Sequence, residues 1–282
     1  MNITGAAKLA GVMGWPVEHS RSPAVHQFWL AEHQIDGVYV PMPVEPKNLR
    51  QALEAMPALG FRGCNLTIPH KEAGLEILDE IDATARRAGA VNTIVVGSGG
   101  RLGGSNSDMF GFLEALREGA PKWRPDEGPA VVIGAGGSAR AVAAALLDEG
   151  AAEIRLVNRT PARAAELAQA LGGKVRAVAW VERARALRDA SLLVNTTSLG
   201  LEGQPPLDLA LDDLPRAAVV NDIVYVPLET PLLAAARARG NTAVDGLGML
   251  LHQARPGFAA WFGMMPAVTP ALRRAVLATL AP

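Results

Sequence analysis

The chain has 282 residues, 49% of them hydrophobic and 20% charged, with a formal net charge of -1. That length suffices for two domains with separate cores, and the composition excludes a largely disordered chain. The near-zero charge argues against nucleic acid as the main partner, and the single cysteine, Cys64, excludes an internal disulfide or a cysteine-rich metal centre. Apolar patterning predicts a strand over 8–14, then a helix over 22–34 whose Val25, Phe28 and Trp29 share a face. A second strand follows over 37–44, a helix over 46–59 and a third strand over 61–68. Helices near 71–78 and 83–88 precede two short strands, 90–96 and 101–106. Strands alternating with helices indicate an α/β domain with a largely parallel sheet.

A helix over 108–118 leads into 119–129, a loop rich in Pro, Gly and charge. Beyond it a second α/β series begins. Strand 130–133 leads to helix 138–148, strand 153–157 to helix 161–171, and strand 191–194 follows. Strand 218–223, a helix near 230–239 and strand 242–244 complete the series. Helices over 247–262 and 270–280 come last. The N-terminus has no basic-then-apolar signal pattern, and no apolar run approaches membrane-spanning length. A soluble, cytoplasmic protein is the expectation.

The sharpest local motif is VVIGAGGSARAVAAAL (131–146), in which Gly134-x-Gly136-x-x-Ala139 follows an apolar strand and opens a helix. Gly134 permits a tight turn, Gly136 lets backbone approach a pyrophosphate, and Ala139 lets helix and strand pack closely. The helix N-terminus then offers free N–H groups to phosphates. Glycine turns also join strands to helices for structural reasons alone, so the next strand matters. NAD-binding versions end it with an acid for the ribose hydroxyls. Here it ends in Asn158-Arg159-Thr160-Pro161-Ala162-Arg163, without one. Thr160 can cap the helix that Pro161 starts, and Arg159 and Arg163 stand near its N-terminus. Guanidinium groups match a phosphate in charge and geometry, so the site favours the 2′-phosphate of NADP over two merely solvated arginines.

In GWPVEHSRSPAVHQFW (14–29), Ser20 and Ser22 put two hydroxyls beside a helix N-terminus, a modest site for a small carboxylate. Ser22, before Pro23, also reads as a helix N-cap. GCNLTIPHK (63–71) alternates Cys64, Leu66 and Ile68 with Asn65 and Thr67 as a half-buried strand that Pro69 ends. Lys71 then reads as a solvated residue on a first helical turn, unless it has a partner. GGSNSDMFGF (103–112) places Asp108 in the first turn of a helix, where an acid is commonplace. Both residues follow strand ends on the same side of an α/β sheet, where ligands collect. None of the five histidines pairs with an acid or cysteine at metal-ligand spacing, so no metal is expected. His26 and His33 read as surface or packing residues, and Cys64 as core.

Taken together, the motifs resemble the shikimate dehydrogenase family over essentially the full length. The matching pieces stand in family order: GWPVEHSRSPAVH, GCNLTIPHK, GAVNT, GGSNSDMFGF, GAGGSARA, NRT, NTTSLGL, DIVYVPLETPLL and DGLGMLLHQARPGFAAWFG. The resemblance implies an α/β substrate-binding domain, 1–108, completed by the C-terminal helices of 246–282. It implies a Rossmann-like NADP-binding domain, 109–245, and an active site in the cleft between the two. By the same resemblance Lys71 is catalytic with Asp108, Ser20 and Ser22 contact the substrate carboxylate, and Asn65, Thr67, Asn92 and Gln253 bind its hydroxyls, with Tyr225 nearby. Gly134, Gly136, Gly137, Ser138, Ala139, Asn158, Arg159 and Thr160 map onto the cofactor motifs, with Gly246 and Met249 flanking the nicotinamide. The implied reaction interconverts 3-dehydroshikimate and shikimate with NADPH, in a monomer or homodimer. A quinate or quinate/shikimate dehydrogenase would share the dyad, whereas a non-catalytic NADP-binding regulator would need neither Lys71 nor Asp108. Ser107, Gln27 and Leu66 stand where the family usually has Thr, Asn and Val, and no catalytic group is lost.

Overall fold

The computed structural model describes residues 3–280. The chain forms two compact units, Met1–Ser107 with Leu251–Pro282, and Asp108–Leu250. Among the described residues, no helix is long and apolar enough to cross a membrane.

The first unit begins with β1 (Lys8–Gly14), α1 (Ser22–Glu32), β2 (Gly37–Pro43), α2 (Leu49–Ala55) and β3 (Phe61–Leu66). β4 (Glu80–Ile81), α3 (Ala83–Ala88), β5 (Thr93–Val96) and β6 (Leu102–Ser105) follow. The helix expected over 46–59 is shorter at both ends: Pro46–Asn48 forms a 3₁₀ turn, and Pro57 lacks the N–H and the space to continue the helix beyond Ala55. Over 71–78 only a 3₁₀ turn forms, Ala73–Glu76. There Gly74 lies so close to the core that a Cβ would come 2.8 Å from Leu66 Cδ1. Glycine supports a helix poorly, and close packing against β3 decides the outcome.

The sheet order is β2-β1-β3-β5-β6-β4. β1 runs parallel to β2 and β3, but β5 is antiparallel to both β3 and β6, so the sheet is mixed rather than largely parallel. The cause is local. β5 and β6 are joined through Ser98–Gly100, in which Gly99 and Gly100 take φ +69° and +80°. Parallel neighbours need a long crossover, and this link is too short for one. The period of two puts Cys64 and Leu66 in a core with Met13, Leu49, Leu53 and Ile94, and turns Asn65 to the opposite face.

The second unit holds α4 (Asp108–Gly119), β7 (Ala130–Ile133), α5 (Gly137–Asp148), β8 (Ile154–Asn158), α6 (Pro161–Leu171) and β9 (Val175–Ala179). β10 (Leu192–Asn195), β11 (Val219–Asp222), α7 (Pro231–Ala238) and β12 (Thr242–Val244) complete its sheet. All neighbours are parallel, in the order β12-β11-β10-β7-β8-β9. That is the doubly wound dinucleotide-binding order, with its topological switch between β7 and β10. β7, β10 and β11 are buried at every residue, as strands covered on both faces must be. β9 escapes the sequence pattern because it is an edge strand, mostly exposed or half-buried, with no apolar run. The helix α8 (Gly246–Phe262) contributes residues to both units, and α9 (Pro270–Leu277) belongs to the first.

Candidate active site

At the carboxyl end of β7, Gly134 has φ +122°, a conformation that L side chains rarely adopt. A Cβ there would also come 2.5 Å from Thr196 Oγ1. Thr196 is itself fixed, its N and Oγ1 both donating to the Ile133 carbonyl at 2.9 and 2.6 Å. Gly136 is the N-cap of α5 and makes no side-chain cap bond. A Cβ on Gly136 or Gly137 would meet nothing within 4 Å, so open space lies over the helix N-terminus. Ser138 is half-buried beside it, and Ala139 is fully buried against the sheet. Free amides, open space and a helix dipole together fit a pyrophosphate.

At the end of β8, Asn158 Nδ2 donates to the Thr160 carbonyl at 3.0 Å and holds the turn. Thr160 takes the N-cap position and Pro161 the first turn of α6, but the threonine hydroxyl makes no capping bond. Arg159, Thr160 and Arg163 are all exposed around that N-terminus, with no acid among them. The donor set fits a phosphate and includes no carboxylate to accept from a free ribose 2′-hydroxyl.

The ends of β10 and β11 carry a buried polar knot. Asp222 accepts from Thr230 Oγ1 at 2.7 Å, Asn195 Nδ2 at 3.0 Å and the Val224 N–H at 3.1 Å. Burial pushes its carboxyl up to about 6 despite those donors. Asn195 Oδ1 in turn accepts from Thr197 N and Oγ1 at 3.1 and 2.7 Å. The knot ties the loop after β10 to the loop that carries half-buried Tyr225. Gly246 packs against the same loop, where a Cβ would lie 2.3 Å from the Ile223 carbonyl oxygen. Met249, one turn on, is half-buried.

In the first unit, the segment after β3 is held at nearly every residue. Thr67 N–H donates to the Met13 carbonyl at 2.9 Å, Trp15 N–H to that of Ile68 at 3.0 Å, and His70 N–H to that of Thr67 at 2.8 Å. The buried His70 side chain bonds the Val44 carbonyl through Nε2 at 2.7 Å, so that nitrogen carries the proton. The Lys71 carbonyl accepts from Val91 N–H at 2.8 Å. Lys71 is half-buried, and Asp108, 7% exposed, opens α4 in the second unit. Thr67 sits where Gly14 has no side chain: a Cβ there would come 2.4 Å from Thr67 Cγ2.

Ser22 is not the N-cap of α1; Arg21 takes that place and Ser22 begins the helix. Its N–H points to Ser20 Oγ at 3.4 Å, and its buried hydroxyl meets Tyr39. Ser20 is half-buried. Asn92 Oδ1 accepts from Ser107 N and Oγ at 2.8 and 3.1 Å and from Thr93 Oγ1 at 3.0 Å. Asn92 Nδ2 faces Gln253 Oε1 at 3.2 Å. Ser107 thus supplies the hydroxyl that a threonine would. Asn65 is buried, with Nδ2 donating to the Asn92 carbonyl at 2.8 Å and to Thr93 Oγ1 at 3.3 Å. Reasoning from sequence missed Tyr39, Thr93, Asn195 and Asp222. The last three lay inside quoted motifs, GAVNT, NTTSLGL and DIVYVPLETPLL, and Tyr39 lay outside them.

Comparison with known proteins bears on this geometry. Residues 12–94 match the family described as "Shikimate dehydrogenase substrate binding domain", and residues 124–200 match "Shikimate / quinate 5-dehydrogenase". The shikimate dehydrogenase (NADP(+)) of Paramagnetospirillum magneticum is 59% identical over 98% of this chain and 100% of its own length. That of Rhodospirillum rubrum is 60% identical over 98% and 99%. The solved shikimate 5-dehydrogenase of Thermus thermophilus, in complex with NADP(H) and shikimate, superposes with a TM-score of 0.86 at 41% identity, covering 96% of this chain and 99% of that one. The quinate dehydrogenase of Corynebacterium glutamicum, in complex with NAD, gives 0.89 at 33% identity, with coverage of 96% and 99%.

Proposed function

The chain belongs to the shikimate dehydrogenase family, and from that premise we propose how its own residues carry the NADP-dependent interconversion of 3-dehydroshikimate and shikimate. The nicotinamide cofactor, when bound, would supply the hydride to the ring carbon as NADPH and accept it in the reverse direction as NADP+. As that carbon is reduced, the carbonyl oxygen gains negative charge and needs a proton at once. Lys71 Nζ donates it, and takes it back in the oxidative direction. Asp108 orients the ammonium towards the oxygen. Ser20 and Ser22 receive the substrate carboxylate, while Thr67, Asn92 and Gln253 bind its hydroxyls beside Tyr225. Gly134, Gly136, Gly137, Ser138 and Ala139 hold the pyrophosphate at the start of α5. Asn158 and Thr160 shape the turn from which Arg159 and Arg163 grip the 2′-phosphate. Gly246 and Met249 flank the nicotinamide.

The observation that carries this reading is the anchoring of the Lys71 segment to β1, the residue after β2 and the residue before Asn92. A lysine meant only for solvent has no need of a backbone held from three directions, whereas a proton donor must keep its place within a few tenths of an ångström. The test is Lys71→Met, which keeps the apolar stem and removes the ammonium. Turnover of shikimate with NADP, followed by nicotinamide absorbance, should fall by about 10²–10⁴-fold. The Michaelis constant for NADP should be unchanged. Asp108→Asn should also be slow, and the double variant should lose less than the product of the two effects, as groups acting together do. Near-normal turnover by Lys71→Met would refute the assignment.

A further inference from the structure

Tyr39 lies in β2, 2% exposed, on the face of the first unit's sheet that Asn65 shares. Its ring stacks flat on His26, centroids 3.9 Å apart and planes 4° from parallel. Trp261 flanks it at 5.9 Å, and Phe258 and Trp29 close around His26 at 5.8 Å each. The phenol is therefore held rigidly, and only its hydroxyl reaches polar groups. That oxygen lies 2.5 Å from Asn65 Oδ1, with the Ser22 side chain close by.

The direction of each bond follows by elimination. The Asn92 carbonyl can only accept, so the amide nitrogen of Asn65 must face it and Asn65 Oδ1 must face Tyr39. Tyr39 then spends its one hydrogen on Asn65. The chain continues from Asn65 through Thr93 Oγ1 to Asn92 Oδ1, and from Asn92 Nδ2 to Gln253. Every link lies within the first unit.

We propose that Tyr39 is a positioning residue for substrate, its buried hydroxyl setting Asn92 at the hydroxyl end of the site through Asn65 and Thr93. The inference rests on the shikimate dehydrogenase reading, which gives that end its ligand. Asn65 acts through its neighbours, since both of its N–H groups and its oxygen are already engaged. The polar chain holds Asn65, Thr93 and Asn92 as one unit, which fixes where the Asn92 amide meets a bound hydroxyl.

Tyr39→Phe preserves the stack and removes only the hydroxyl. The Michaelis constant for shikimate should rise about tenfold, the equivalent of ~1.4 kcal/mol for one ordinary hydrogen bond. The turnover number should stay within about threefold and the constant for NADP should not change, as the lost bond acts on ground-state and transition-state binding alike. Phe258→Leu serves as the control. It loosens the same aromatic cluster without touching the hydroxyl, so it should lower the melting temperature and leave the shikimate constant alone. Asn65→Leu cuts the chain on its other side and should raise that constant as Tyr39→Phe does, which provides the measurement if the first variant is insoluble. An unchanged shikimate constant in Tyr39→Phe or Asn65→Leu, or an equal rise in Phe258→Leu, overturns the proposal. A wild type that turns over no shikimate overturns the functional reading beneath it, whereas an active wild type with a normal Tyr39→Phe overturns Tyr39 alone.

Discussion

His26 should make the protein acid-sensitive, by an amount that its burial predicts. The ring is 0% exposed, and neither Nδ1 nor Nε2 has a hydrogen-bond partner. Burial alone lowers its pKa from 6.5 to about 3. The sign follows from counting protons. Below 6.5 the unfolded chain binds a proton at His26 that the folded chain refuses until about 3, so stability falls as pH drops through that window. Over the whole window the loss approaches ~5 kcal/mol, and between about pH 7.5 and about pH 4.5 it is ~3 kcal/mol. That is a large fraction of the stability of an ordinary domain. The perturbation is His26→Phe, which keeps a flat ring on Tyr39 and cannot titrate. Urea unfolding of both proteins at the two pH values isolates the effect, because every other ionisable group contributes equally to each. Trp29 and Trp261, which pack in the same cluster, report its unfolding by fluorescence. The wild type should lose ~3 kcal/mol more than the variant on acidification. Equal losses would show that His26 is already protonated in the fold or reaches water there, and would refute the reasoning.

Two further outcomes follow from the site. Arg159→Ala removes a guanidinium from the turn after β8, so the Michaelis constant for NADP should rise about tenfold while that for NAD changes little, the interaction being charge-assisted but exposed; a wild type that uses both cofactors equally well would contradict this. Gly14→Ala would drive a Cβ to 2.4 Å from Thr67 Cγ2. Thr67 must then shift, at a cost of about 1–3 kcal/mol in overpacking, and the shikimate constant should rise several-fold with little change for NADP; steady-state kinetics checks both.

Local chemistry made the second unit legible. Its strands are continuous apolar runs between glycine turns and amphipathic helices, and parallel strands joined by helices have few topologies open to them. Gly134 and Ala139 are legible through spacing because a positive φ and close helix–sheet packing are local steric demands, whereas Gly136 leaves open space over the start of α5. The place of Arg159 could be counted along one strand and turn, and the structure leaves it exposed beside the N-terminus of α6.

The first unit resisted at the points where packing overrules pattern. The segment after Lys71 has a helical rhythm, yet Gly74 lets it collapse onto Leu66 as a 3₁₀ turn. β5 looks like one more parallel strand until the two-glycine link to β6 turns it round. Tyr39 and His26 show the limit most plainly. A tyrosine in β2 reads as one more half-buried strand residue, and a histidine on α1 as a surface or packing residue. Only the sheet register, the return of α8 and the contact between side chains 26 residues apart turn them into the floor of a polar chain. Sequence determines which groups are available and what each prefers locally. Tertiary structure decides which of them are deprived of water, and in that dry interior a hydroxyl must commit its single hydrogen to one partner.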